Sequence, residues 1–378
     1  LQLLGSFMDD RMKTVLGIYY FEEEGKDINV VSFPVVLLSS GGSIDNESKA
    51  IFGQITYDIT DALSMTLGLR YTEDKKVFLP DQFVLDPRLS AAPPPAGFAY
   101  VPGTRMLPFE EVETDIDEIT PMLNVAYNLS EATMLYATYS EGYKSGGYDQ
   151  RVFPRTSDFT APSFEPEFVE SYELGMKYKS DDNRFRANGS MFFMDYTDLQ
   201  IAVVNNNVDV ITRNAGEAEI KGFELELAFI PADNWMLEGS LGYTDAEYTS
   251  LSAGAIQAGL SRDNELVNTP EWSLSAAISY TQPLESGASL SLRLDGSHRS
   301  EVFFDITNTQ VIAQDDVSLV NFSVNYRSTG AWDLGAGITN LGDEEYHVSG
   351  FQHLNPFGIA YVNPARERQW WLRVGYSF

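Results

Sequence analysis

The chain has 378 residues, with 55 acidic against 25 basic side chains, a formal net charge of -30 and no cysteine. That balance excludes nucleic acid as a partner, because phosphate binding needs a basic surface, and the absent thiols exclude disulfides, thiolate metal sites and a cysteine nucleophile. Mean hydropathy is -0.19 and no apolar run approaches the roughly 18 residues of a spanning helix, so a helical membrane protein is ruled out while a membrane barrel, whose two faces average out, is not.

Aromatics make up 13% of the residues, with 20 Tyr, 23 Phe and 29 Gly beside abundant Ser, Thr, Asn and Asp. This is the vocabulary of short strands and turns, and it favours one large all-β body over two or three soluble domains. The chain begins at Leu1 without an initiator Met or a secretory leader, so its start is expected to have been processed away or to lie upstream.

From a short strand near Leu1 to Gly5 onward, about 15 strand-like segments of about 9 to 12 residues recur. Turn chemistry closes one set of connections: Asp58 to Ala62, Asn128 to Ala132, Ser180 to Asn183, Pro231 to Asn234, Leu284 to Gly287 and Ser328 to Gly330. Between them lie long connections: Glu22 to Ser48, Lys75 to Glu113, Lys144 to Glu165, Thr249 to Asn268, Glu301 to Asp316 and Asp343 to Pro364. Tight turns at one end and long loops at the other are the asymmetry of an antiparallel transmembrane β-barrel of the outer membrane. Such barrels have even strand numbers, so an odd count implies a missing strand. The last strand then runs toward the tight turns, which places the C-terminus on the periplasmic side.

Side chains alternate within the segments. Leu63, Met65, Leu67, Leu69 and Tyr71 oppose Ser64, Thr66, Gly68, Arg70 and Thr72, and Trp272, Leu274, Ala276, Ile278 and Tyr280 oppose Ser273, Ser275, Ala277, Ser279 and Thr281. Tyr and Trp collect at strand ends, among them Tyr57, Tyr127, Tyr178, Trp235, Tyr243, Tyr326 and Trp332, where a girdle would meet lipid headgroups. In the final strand Trp370, Leu372, Val374, Tyr376 and Phe378 fall on one side.

The C-terminal ITNLGDEEYHVSG and PARERQWWLRVGYSF resemble the closing signature of TonB-dependent outer-membrane receptors, through Asn340, Leu341, Asp343, Tyr346, Pro364, Arg366, Val374, Tyr376 and Phe378. YATYSEGYKSGGYDQR, PEFVESYELGMKYKS, FFMDYTDLQI and ITRNAGEAEIKGFELEL are similar to that family's barrel blocks, in its order. The resemblance implies a barrel of about 22 strands filled by an N-terminal plug. Residues 1–378 would then be an N-terminally incomplete barrel domain without plug, coupling box or signal peptide. It implies uptake of a bulky nutrient such as a ferric siderophore, with energy from the TonB complex reaching the receptor through the absent plug. It also implies that Trp370, Leu372, Val374, Tyr376 and Phe378 are the signal read by the barrel-assembly machinery, through strand pairing at an open edge. A passive porin-type channel and a surface ligand-binding β-protein are the alternatives.

Nothing in the sequence assembles an enzyme: no HExxH, phosphate loop or nucleophile elbow occurs. His347 and His353 share a loop without metal-ligand spacing, and no cofactor or metal site is expected. The most informative local stretch is GYKSGGYDQR. Its Gly142, Gly146 and Gly147 permit positive-φ turns, while Tyr143, Lys144, Tyr148, Arg151 and, further on, Arg155 offer aromatic and cationic groups to a chelate. Shaping of the strand-to-loop bend and pairing of Arg184, Arg186, Arg293 and Arg373 with lumen carboxylates are the competing structural roles. The connection Lys75 to Glu113, with Pro93, Pro94 and Pro95, is too long to be passive.

Overall fold

The computed structural model describes residues 1–32, 36–86, 101–153, 159–205, 209–354 and 358–378. Extended segments begin with β1 (Gln2–Phe7), β2 (Met12–Ser32), β3 (Leu37–Asp58), β4 (Leu63–Pro80) and β5 (Phe83–Asp86). They continue with β6 (Val112–Asn128), β7 (Thr133–Lys144), β8 (Gly147–Tyr148), β9 (Ser163–Phe164), β10 (Glu167–Lys179), β11 (Phe185–Asn205) and β12 (Asp209–Phe229). The C-terminal part adds β13 (Trp235–Leu251), β14 (Trp272–Pro283), β15 (Ser289–Arg299), β16 (Val317–Arg327), β17 (Trp332–Thr339), β18 (His347–His353), β19 (Ile359–Pro364) and β20 (Gln369–Tyr376).

One 16-stranded sheet contains most of these, in the order β1-β2-β3-β4-β6-β7-β10-β11-β12-β13-β14-β15-β16-β17-β20, with β5 beside β3. All of its pairings are antiparallel. The 15 strands of that path match the expected number. β1 and β20 each pair with one neighbour among the described residues, so the sheet is an open barrel wall. All six expected tight turns fall between strand ends, as at Asp58/Leu63 and Asn128/Thr133. The Ser377 amide donates to Ala331 O at 2.8 Å, so the last strand ends at the tight-turn side.

Register sorts the side chains into two continuous faces. Leu225 stands opposite Leu241, Leu241 opposite Leu274, and Ile278 opposite Leu294 and then Phe322. The series closes with Ile338 opposite Trp370 and Ala336 opposite Leu372, and Leu372 is 78% exposed. Rings border this apolar face at both ends: Trp235 packs on Tyr280 and, at the other end of the same two strands, Tyr243 on Trp272, each pair at 4.7 Å. Eight residues separate the two pairs along β13, or about 27 Å of strand, comparable to an apolar band of about 25 Å.

The opposite face is polar and cross-linked. Ser240 meets Ser275 at 2.7 Å, Arg293 donates to Glu238 at 2.6 Å and Asn321 to Asp295 at 2.9 Å. The directly opposed pairs Ser240–Ser275 and Asp295–Asn321 each contribute about 0.2 to 1 kcal/mol, whereas Arg293 reaches across β14 to Glu238. Aromatic side chains on this face lie over glycines of the next strand, as Phe52 does over Gly17 and Trp371 over Gly337. Of the arginines expected to pair here, Arg293 does so, whereas Arg184 meets Asp233 at 2.6 Å between two tight turns.

The C-terminal signature has a local physical basis. Asn340 is buried in the left-handed region (φ 52). It receives the Glu344 amide on Oδ1 at 2.8 Å and returns its side-chain amide to Glu344 O at 2.8 Å. Asp343 accepts the Arg368 amide at 2.9 Å, which fixes the chain where β20 begins.

Two expectations about the connections require correction. Glu22 to Ser48 is not a long loop: β2 and β3 stay paired from Met12↔Tyr57 to Ser32↔Leu37. The β2 arm of this extension is exposed to water over most of its length, while Leu38 of the β3 arm is buried in a core made by the loops, so no regular apolar alternation marks the hairpin in the sequence. The start of Lys75 to Glu113 is likewise strand, through Pro80. Pro93, Pro94 and Pro95 lie outside the described residues.

Candidate functional site

At the long-loop end the connections fold over the polar face and bury small cores of their own. One core joins Val36, Leu38, Phe78, Val84, Met106, Leu107, Val152 and Phe153. Its polar centre is the fully buried Gln82, whose Nε2 donates to Val152 O at 3.0 Å while its Oε1 accepts the Val152 amide at 3.1 Å. The side chain thereby replaces a strand neighbour, and it satisfies both groups away from water. Arg105 pairs with Asp81 at 2.9 Å and lies 4.4 Å from the Phe109 ring centre, which holds the same segment.

The GYKSGGYDQR stretch crosses this region. The Tyr143 hydroxyl donates to Asp74 Oδ2 at 2.8 Å, reaching across β6 to β4. Tyr148 is half-buried and stacks on Phe78 at 6.2 Å. Lys144 and Arg151 are exposed, and Arg155 lies outside the described residues. Tyr143 and Tyr148 thus already have partners, and the exposed Lys144 and Arg151 make no ion pair among the described residues. The positive φ that Gly142, Gly146 and Gly147 permit is adopted by none of them. Close approach explains Gly146 instead, since a Cβ there would collide with the Phe164 carbonyl oxygen.

Two amides clasp this stretch to the β11–β12 hairpin. Asn214 accepts the Glu165 amide at 2.7 Å and donates to Glu165 O, Pro166 O and Asp198 O. Gln200 donates to Ser145 O at 3.1 Å and Glu165 O at 3.0 Å. Asp149 accepts the Thr212 amide at 2.9 Å. Burial holds the Asp149 carboxyl above its ordinary pKa, and the Thr212 bonds and the Arg213 charge only partly oppose it.

A second core, around Ile201, Ile211, Ala218, Tyr248 and Leu260, supports a cavity of about 710 Å³. The short helix α1 (Ala253–Gln257), capped by Ser252, contributes Ala255 to that core. Leu199, Ile201, Tyr248, Leu266, Phe304 and Phe351 line the cavity, with Gln200, Gln352 and His353 among its polar groups. Asp305 is consumed by its own loop: it accepts from Thr307 Oγ1, the Thr309 amide, Thr309 Oγ1 and Gln352 Nε2 at 2.8, 2.8, 2.7 and 3.1 Å. Sequence reasoning missed this cavity. Its walls come from three separate connections, and aromatics scattered through loops are the only sequence trace it leaves.

The fold agrees with that of known proteins. The family model described as "TonB dependent receptor-like, beta-barrel" matches residues 4–341. The chain belongs to this family. TonB-dependent receptor barrels are outer-membrane proteins, so the apolar face meets lipid and the polar face lines the lumen. The pesticin receptor of Yersinia enterocolitica is 24% identical over 359 residues, covering 93% of this chain and 47% of the relative. The vitamin B12 transporter BtuB of Photobacterium profundum is 24% identical over 354 residues, covering 90% and 52%. The solved ferric yersiniabactin uptake receptor FyuA from Yersinia pestis has a TM-score of 0.80 at 20% identity, covering 100% of this chain and 52% of that one. The chain therefore spans about half the length of the relatives it matches, and the structural likeness demonstrates the shared barrel fold.

Proposed function

We propose that the chain is the larger part of the barrel of an outer-membrane receptor that takes up a bulky, scarce nutrient, with a ferric siderophore as cargo. The observation that carries this reading is the contrast between the two ends of the wall. Bare tight turns close one end, while the loops at the other end build cores and a lined cavity over the polar face. A passive pore gains nothing from such construction, whereas a receptor needs a shaped surface to select its cargo. The similarity to a ferric yersiniabactin uptake receptor supports iron-chelate cargo.

In this reading Tyr143, Lys144, Tyr148, Arg151 and Arg155 form a cationic and aromatic ledge for the incoming chelate. The remainder of the protein supplies the plug through which the TonB complex delivers energy. Trp370, Leu372, Val374, Tyr376 and Phe378, on the open β20 edge, serve the barrel-assembly machinery by strand addition. The test is uptake of radioactive iron on defined siderophores by a strain lacking the gene and by the strain complemented with the full-length protein. Uptake restored by the gene and abolished without TonB supports the reading. Restored flux that persists without TonB assigns a passive channel instead.

A further inference from the structure

The ledge at Lys144 and Arg151 and the 710 Å³ cavity are chemically different places. Among the described residues, none of Tyr143, Lys144, Tyr148 or Arg151 lines the cavity, and no Lys or Arg does. Its one carboxylate, Asp305, is saturated by four hydrogen bonds from its own loop and Gln352. What remains is an apolar wall with aromatic faces from Tyr248, Phe304 and Phe351, neutral amides at Gln200 and Gln352, and the imidazole of His353. An anion entering this space would lose its hydration and meet no Lys or Arg among the described lining residues in exchange, at a high cost. An uncharged ring system would lose little hydration and would gain contact with all three rings. The volume lies within the range of small-molecule sites.

We propose that this cavity binds an uncharged aromatic or alicyclic group of the transported molecule, while the anionic part of the cargo is held elsewhere. The inference rests on reading the loops as the cargo-binding surface of a receptor. Gln200 ties the two places together, because it lines the cavity and also donates to Ser145 O at 3.1 Å, next to Lys144.

The test uses the full-length protein in lipid nanodiscs and two probes that share one ring system. N-phenyl-1-naphthylamine is neutral, and 1-anilinonaphthalene-8-sulfonate carries a sulfonate. Binding is measured by equilibrium dialysis, with partition into empty nanodiscs subtracted. The cavity chemistry predicts saturable binding of the neutral probe at one site and at least tenfold weaker binding of the anionic one. Ala258→Trp with Thr307→Trp, which fill the space from two walls, should weaken the neutral probe at least tenfold. Leu354→Lys, at a lining residue that is 44% exposed and so carries little folding risk, should shift the preference toward the sulfonate. Equal or tighter binding of the sulfonate by the unaltered protein overturns the inference, as does neutral-probe binding unaffected by the filled cavity. Iron uptake is scored separately. Probe binding without uptake leaves the cavity standing and removes the transport reading, and uptake without probe binding does the reverse.

Discussion

Trp371 lies across Gly337, so close that a Cβ on the glycine would stand 2.5 Å from the indole Cζ2. β17 and β20 pair directly here, with Gly337 opposite Trp371. The ring therefore lies against the neighbouring strand instead of standing into the lumen. Gly337→Ala should cost about 1 to 3 kcal/mol, the usual penalty for overpacking. Combined with Trp371→Ala, the same substitution should cost far less. Urea unfolding of the full-length protein in detergent, read as a double-mutant cycle, checks this; additive costs would show that the ring is not held by the glycine.

The two faces of β14 should respond oppositely to charge. Leu274 sits between Leu241 and His298 on the apolar face, and Ser275 between Ser240 and Ser297 on the polar one. Leu274→Lys, two residues inward of the Trp272 border, should destabilise by about 1 to 3 kcal/mol, between the values for a cation at the interface and at the bilayer midplane. Ser275→Lys should stay within about 1 kcal/mol, losing mainly one hydroxyl pair. Refolding into liposomes at graded urea distinguishes them, and equal costs would contradict the assignment of faces.

Asn214 makes four hydrogen bonds to the strand-to-loop bend between β9 and β10 and to the β11 irregularity. Asn214→Ala should leave the Glu165 amide, Pro166 O and Asp198 O without this partner, while Gln200 still serves Glu165 O, and should loosen the bend by about 1 to 3 kcal/mol. Faster hydrogen exchange at the Glu165 amide, with exchange in β14 and β15 unaltered, is the expected signature. Unchanged exchange at Glu165 would mean that the clasp contributes nothing.

The Asp149 contact carries a pH dependence of definite sign. Its folded carboxyl pKa is raised above the ordinary value, chiefly by burial. The folded form therefore binds the proton more readily, and this contribution to stability is fully present below the ordinary aspartate pKa of 3.8. It is lost as pH rises through the folded value. Exchange at the Thr212 amide, corrected for intrinsic rate, should accelerate across that rise, and Asp149→Asn should remove the step. A step of the opposite sign would contradict the burial argument.

The membrane-crossing part of the fold was legible because two solvents enforce it. Lipid on one side and water on the other impose a strict two-residue alternation, so Leu63 to Tyr71 and Trp272 to Tyr280 declare their strands. The β2–β3 extension escaped notice because EEEGKDINVVS stands in water on both faces. At the rim, Tyr143 was legible as a candidate while its partner was not. Asp74 lies 69 positions away, and only the order β4-β6-β7 brings the two together. The cavity needed three connections to meet, and the hydrogen bonds that occupy the Asp305 carboxylate include one from Gln352, which the sequence alone does not bring near.

The most direct test of the outer-membrane receptor topology uses the absence of cysteine from these 378 residues. Ile256, 59% exposed in the long connection after β13, and Leu129, 61% exposed in the tight turn after β6, are each replaced by cysteine in the full-length protein. Intact cells are then treated with a membrane-impermeant maleimide. The topology predicts labelling at position 256 in intact cells and at position 129 only after the outer membrane is permeabilised. Labelling of 129 but not 256 in intact cells would invert the barrel and remove the loop cavity from the side where cargo arrives.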